Sequence, residues 1–212
     1  YAAAGTRSFE SEGALDSFRV IGGLYAEALQ LVTMDPEIKS VADLKGKKVS
    51  IGAAGSGVYF NAMDVLAAAG LTEADIIPQY QSFGDSADAL KDRKIDAAFI
   101  VAGAPTPAIQ ELCTSATAYL VPIDGDIADK LMAASPYYTS YKIPAGTYNG
   151  QTEDVTTVTV KATLIVNADA SEEDVYQFEA DLTLNNINKG LFLYKNRPLL
   201  FLFDGVYSFL EG

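Results

Sequence analysis

Apolar positions recur along the chain with two different periods, and their order predicts the architecture. Val158, Val160, Ala162, Leu164 and Val166 alternate with mostly polar neighbours, the two-residue period of a half-buried strand. Phe18 to Val32 holds extended, partly alternating apolar stretches of the same kind. Between these segments the pattern turns to short strands and helices in alternation. Val41 to Leu44 predicts a helical turn, Lys45-Gly46-Lys47 a tight turn, and Lys48 to Gly52 a strand. After Gly55-Ser56-Gly57, the residues Val58, Ala62, Val65, Leu66 and Ala69 follow a 3.6-residue period. Gly70 stops that helix, with Leu71 placed for the contact of a Schellman ending. Ile76 to Gln81 reads as a strand, and Asp85 or Ser86 then caps a short helix carrying Ala87 and Leu90.

Ile95 to Val101 is nearly all apolar, as a strand buried on both faces should be. Thr106-Pro107 marks a helix start with proline at the first position, and Ile109, Leu112 and Cys113 form its buried stripe. Ala118 to Ile123 is a further strand, followed by a helix bearing Ile127, Leu131 and Ala134. Ser171-Glu172-Glu173-Asp174 is a capping box before the amphipathic positions Val175, Phe178 and Leu182. Strands alternating with helices over short loops predict an α/β fold with a parallel sheet covered on both faces. Two long strands bracketing that region read as two crossings between lobes. The expected division is a discontinuous lobe, 1–34 with 158–212, and a continuous α/β lobe, 35–157.

Composition narrows the chemistry. The 212 residues carry 28 acidic and 15 basic side chains, a formal charge of −13. That argues against a nucleic-acid binder held by general attraction to phosphates and against resting on an anionic membrane. Without histidine, His-based triads and His-ligated metals are excluded; one cysteine excludes an internal disulfide and Cys-cluster metal sites. No apolar run reaches the ~18 residues of a membrane span, so direct membrane insertion is not expected. The start, Tyr1-Ala2-Ala3-Ala4-Gly5, shows no signal peptide.

The strongest local signal is a strand, then Gly52-Ala53-Ala54-Gly55-Ser56-Gly57, then a helix. Free amides at a helix start, the helix dipole and the Ser56 hydroxyl suit an anionic group. An ordinary tight turn with Ser56 as helix cap accounts for the motif equally well. A P-loop is excluded by the missing Gly-Lys-Ser/Thr, and the glycine order does not fit a dinucleotide fingerprint. A second helix start, Ala102-Gly103-Ala104-Pro105-Thr106-Pro107, follows one strand later, where ligands gather in doubly wound sheets. Gln81-Ser82-Phe83-Gly84-Asp85-Ser86 is a third candidate, for which capping explains most. Tyr137, Tyr138, Tyr141 and Tyr148 either cover a ligand or form the semi-exposed packing of a long loop, the latter favoured for at least two. Cys113 reads as a small core residue. No nucleophile–base set, carboxylate pair or metal constellation emerges, so neither a catalytic residue, a metal nor a cofactor is expected.

Several phrases resemble a known family. Val41-Ala42-Asp43-Leu44-Lys45-Gly46-Lys47-Lys48-Val49, leading into Gly55-Ser56-Gly57, looks like the opening of the second lobe in type II periplasmic binding proteins. Asp96-Ala97-Ala98-Phe99 with Ala102-Gly103-Ala104-Pro105, then Ile143-Pro144-Ala145-Gly146-Thr147-Tyr148 with Gly150-Gln151 and Asp154-Val155, resemble the TAXI solute receptors of TRAP transporters. The resemblance spans about residues 18–185. It implies two doubly wound lobes joined by crossing hinge strands, and a ligand held in the cleft. It also implies a periplasmic or extracytoplasmic location, delivery to TRAP permease subunits, and a small carboxylate or amino acid, glutamate- or glutamine-like, as ligand. Carried over, Gly55, Ser56 and Gly57 contact the carboxylate, Gly103, Ala104, Pro105 and Thr106 form a second wall, and Tyr25 reaches in from the first crossing. Val58-Tyr59 departs from the threonine and polar residue common in relatives, which leaves Tyr59 as a contact of a different kind. Family members begin with a further α/β half-lobe that this sequence starts after, so truncation, maturation or disorder is expected there. The apolar run Leu199 to Phe203 and Phe209-Leu210 is expected to dock on that missing half or on a partner. An enzyme, or the ligand-sensing module of a regulator, built on the same lobes is the alternative.

Overall fold

The structure, a computed structural model, describes residues 13–184 (side chains through Phe178), together with Ala3, Gly5, Ser11 and the two-residue strands β8 (Leu193–Tyr194) and β9 (Arg197–Pro198). The apolar run from Leu199 onward and Leu182 fall outside the described side chains. The fold is mixed α/β. Its elements run β1 (Phe18–Thr33), a 3-10 turn (Val41–Leu44), β2 (Lys48–Ser50), α1 (Gly57–Ala68), a second 3-10 turn (Glu73–Asp75), β3 (Ile77–Gln79) and α2 (Phe83–Lys91). There follow β4 (Ala97–Ala102), α3 (Pro107–Ser115), β5 (Tyr119–Val121), α4 (Gly125–Ala134), β6 (Thr139–Ile143), β7 (Val155–Asn167) and α5 (Glu172–Leu184). No helix among the described residues is long and apolar enough to cross a membrane.

The chain forms two compact units, with the boundaries inside β1 (after Leu24) and inside β7 (after Lys161). The continuous unit, from Tyr25 to Lys161, contains most of the sheet, which runs β3-β2-β4-β1-β7-β6, with β5 also on β1. β2 lies parallel to both β3 and β4, as the alternation of strands and helices predicts. β1, read from the sequence as a crossing strand, joins this sheet antiparallel to β4 (Ala28 opposite Ala102, Thr33 opposite Ala97) and to β5. Apolar positions on both faces of a strand report its burial and carry no information on its direction. Residues 28–33 of β1 are all buried, so β1 is a central strand. Thr159 of β7 donates its hydroxyl to the Glu27 carbonyl of β1 at 2.9 Å.

Helices cover both sheet faces over two apolar clusters. Leu29, Leu31, Val49, Ile51, Phe99 and Val101 meet Val58, Ala62, Val65 and Leu66 of α1 in one. Val32, Ala98 and Ile100 meet Ile109, Leu112 and Cys113 of α3 in the other. α1 ends as its sequence requires: Gly70 takes φ +75°, its amide donates to Ala67 O, and that of Leu71 to Leu66 O at 2.8 Å. α2 starts three residues before the expected cap. Ser82 Oγ accepts from the Asp85 amide at 3.2 Å and donates to the Asp85 carboxylate at 2.6 Å. Asp85 thus pairs with the Ser82 cap through both its amide and its carboxylate and is not the cap itself. Tyr138 and Tyr148 are buried, while Tyr137 is exposed and Tyr141 half-buried, so two of the four tyrosines are at least partly exposed as expected.

In the other unit, Leu164 of β7 and Phe178 of α5 pack with Ile21 and Leu24 of β1. Ser171 caps α5, accepting from the Asp174 amide at 3.1 Å.

Candidate functional site

Three loops leave the carboxyl ends of the parallel strands in the continuous unit: 51–56 after β2, 80–82 after β3, and 103–106 after β4. This is the edge at which open α/β sheets hold ligands. The first loop turns on Gly52, whose φ is +80°. A β-carbon there would lie 2.6 Å from Val58 Cβ and 3.0 Å from Ser56 Oγ, so only glycine fits. Gly55 is also at positive φ, +74°, with open space around it. The Ser56 amide closes the turn on Ala53 O at 3.0 Å, and Ser56 becomes the N-cap of α1.

Ser56 is 2% exposed, and its Oγ accepts from the Tyr59 amide at 3.1 Å. The Phe60 amide makes the first helical bond, to Ser56 O. The Gly57 and Val58 amides and the Ser56 O–H therefore remain as donors with no partner among the described residues, at the positive end of the α1 dipole.

Tyr59 is oriented elsewhere. Its hydroxyl donates to Glu73 Oε2 at 3.0 Å, and Tyr80 donates to the other carboxylate oxygen. Burial first, then the hydrogen bond to Glu73 and its charge, push the Tyr59 phenol above its usual range. The hydrogen bond to Glu73 does the same for Tyr80.

The 103–106 loop is locked from behind. Thr106 Oγ1 donates to Gly103 O at 2.9 Å and accepts from Gln30 Nε2 at 2.9 Å. The Thr106 amide donates to the Tyr148 hydroxyl at 2.9 Å, and that hydroxyl donates to Gln30 Oε1. All three residues are at least 96% buried. Burial raises the Tyr148 phenol, offset in part by the Thr106 groups bonded to it. Thr106 is thus engaged within its own loop. Gly103 faces the Tyr25 ring, 3.7 Å from where a β-carbon would stand, so the structure brings these two predicted residues together. Ala104-Pro105 is a cis peptide.

Sequence reasoning did not single out Gln30. It is a glutamine in an otherwise apolar run, and its partners lie 76 and 118 residues away. A polar side chain at a position that must be buried was the available signal. In the third loop, Gln81 Oε1 is buried and takes no hydrogen from any described residue. Asp96 and Asp154 tie loops to the fold: Asp96 Oδ2 accepts from the Lys48 amide at 2.7 Å, and Asp154 Oδ1 from the Ala145 amide at 2.9 Å.

The model of the NMT1-like family matches residues 1–186. Among solved structures, the chain is similar to the periplasmic aliphatic sulphonate binding protein SsuA from Escherichia coli, at 28% identity and a TM-score of 0.42. That match covers 50% of this chain and 35% of the other. The alkanesulfonate-binding protein SsuA from Xanthomonas axonopodis pv. citri, bound to MOPS, gives 29%, 0.40, 50% and 36%. A periplasmic binding protein from Brucella ovis with glutathione bound gives 12%, 0.47, 80% and 43%. The chain spans less than half the length of each of these proteins. With its model matched over 186 residues, the chain belongs to the NMT1-like family.

Proposed function

We propose that this chain is the ligand-binding part of an extracytoplasmic solute receptor, a binder rather than an enzyme, and that its ligand is a small carboxylate or amino acid. The observation that carries the reading is the start of α1, where the Gly57 and Val58 amides and the Ser56 O–H stand without partners among the described residues. Donors on a helix dipole hold an anion without a cationic side chain, and the −13 charge acts on them only weakly across a screening length of about 10 Å. Gln81 Oε1, an acceptor with no described partner, supports an N–H group on the same ligand. Gly103, Ala104, Pro105 and Tyr25 supply the second wall, positioned by Thr106, Tyr148 and Gln30. Tyr59, held by Glu73, borders the helix start through its ring. Delivery to a TRAP-type permease rests on the TAXI-like phrases around Asp96 and from Ile143 to Asp154.

The test is a thermal melt of the complete mature protein against amino acids, small dicarboxylates and aliphatic sulfonates. A ligand at a hundred times its dissociation constant adds about 2.7 kcal/mol of stability. A rise confined to one or two carboxylates or amino acids supports the reading. No rise with any anion removes the α1 start from the site.

A further inference from the structure

A second recess lies in the continuous unit, away from the loops just described. Because β1 runs antiparallel to β4, Val32 and its cross-strand partner Leu120 of β5 sit at the end of the sheet where β4 begins. Ile109 and Cys113 of α3 stand over them, and the segment from Tyr148 to Val155 forms the opposite wall. The recess is open to solvent on one side and its volume is about 260 Å³. A dry cavity of about 150 Å³ already takes benzene, so this recess has room for one ring and a short chain.

Apolar side chains back the recess, and polar groups stand at its rim. Val32, Ile109, Cys113 and Tyr148 are all at most 7% exposed. At the rim, the Gln151 amide nitrogen is engaged by Ile143 O and Glu153 O, and Asn149 Nδ2 donates to Cys113 O at 3.1 Å. The Tyr148 hydroxyl is engaged by Gln30 and Thr106. The Asn149 side-chain carbonyl, the Glu153 carboxylate and the Tyr119 and Thr152 hydroxyls remain, none bonded to a described residue, and Glu153 is the charged group among them. No lysine or arginine lines the recess. Acceptors and a negative charge beside apolar side chains complement a cation carried on a compact hydrocarbon.

We propose that this recess binds a small primary amine with a single-ring or branched aliphatic body. The hydrocarbon packs on the partly exposed Ala118, Leu120 and Val155, beside Cys113, and the ammonium lies between Asn149 and Glu153. The site does not depend on the receptor reading, since it shares no residue with the α1 start.

Cys113 is the chain's single cysteine and gives a local readout. The experiment measures Cys113 alkylation by N-ethylmaleimide and the melting temperature of the full chain with 2-phenylethylamine, and with phenylacetate as the isostere of opposite charge. The amine should slow alkylation and raise the melting temperature saturably, and phenylacetate should do neither. Ala118→Phe, which fills the recess, should abolish both effects. Glu153→Gln, an exposed change that leaves folding intact, should weaken the amine about fivefold, the value of a solvated charge pair near 1 kcal/mol. Protection equal for amine and carboxylate, no protection by the amine up to about 10 mM (weaker than the millimolar range), or protection unchanged in Glu153→Gln would overturn the proposal.

Discussion

Removing one oxygen atom, in Tyr148→Phe, should expose how the second ligand wall is held. The ring remains, so the packing of Tyr148 against α3 is kept. Two buried groups lose their partner: the Thr106 amide, which donates to the hydroxyl at 2.9 Å, and Gln30 Oε1, which accepts from it. Each orphaned buried polar group costs about 1–3 kcal/mol, and relaxation of the loop recovers part of that. The expected loss is therefore about 2–4 kcal/mol. With a urea slope near 2 kcal/mol/M, the unfolding midpoint of the continuous unit should fall by about 1–2 M. Adding Gln30→Met removes one orphan, so the double variant should be less destabilised than the two single losses summed, with a coupling of about 1–2 kcal/mol. Equilibrium urea unfolding followed by tyrosine fluorescence measures all four corners of this cycle. A Tyr148→Phe midpoint matching the wild type, or strictly additive losses, would refute the buried network.

Gly52→Ala should destabilise by more than 2 kcal/mol, because a β-carbon at φ +80° would meet Val58 Cβ at 2.6 Å. Gly55→Ala, with open space around it, should cost only the ~1 kcal/mol of its positive φ, and thermal melts of the two variants separate these terms. Ser56→Ala should remove about 1 kcal/mol of capping stability and weaken an anionic ligand about fivefold, read by melting and by titration respectively. Hydrogen bonds from Ser40 and from the Lys39 and Ser40 amides hold Asp43 below its usual range, and Asp154 is lowered likewise by the Ala145 amide. Their contribution is complete above about pH 4, the unfolded value, and is lost as pH falls through the lower folded values, so Asp43→Asn should flatten the acid limb of a stability–pH curve. At the alkaline end, burial raises Cys113 and Tyr148, so stability declines as pH rises beyond about 8.5 and 10.

Local structure was legible wherever neighbouring residues determine it. The Gly70 stop of α1 and the Ser171 cap of α5 depend on contacts within a few residues and formed as read. α3 begins at Thr106-Pro107, but the Thr106 side chain makes no cap bond and is engaged by Gly103 and Gln30 instead. The cap of α2 was displaced because both Ser82 and Asp85 belong to one reciprocal motif, and only the pairing distance tells cap from partner. Strand direction was not legible, since β1 carries the same apolar signature whichever way it runs. Long-range polar pairing was hidden for the same reason. Gln30, Thr106 and Tyr148 come together only through the sheet register and the return of the chain after β6. The Tyr59 hydroxyl is held by Glu73, 14 residues on, a pairing that no local pattern announces. The α1 start was recognisable from its glycines, but Gly52, outside the residues put forward as contacts, proves to be the one whose side chain space is closed.

The receptor reading is tested most directly by titration calorimetry of the complete mature protein with L-glutamate, L-glutamine and succinate, run on wild type and Ser56→Ala, with the ligand recovered and checked by NMR. The account predicts saturable one-to-one binding of at least one of these, weakened about fivefold in the variant, and the ligand returned chemically unchanged. Binding unaffected by Ser56→Ala, no binding of any of the three, or conversion of the ligand would contradict it.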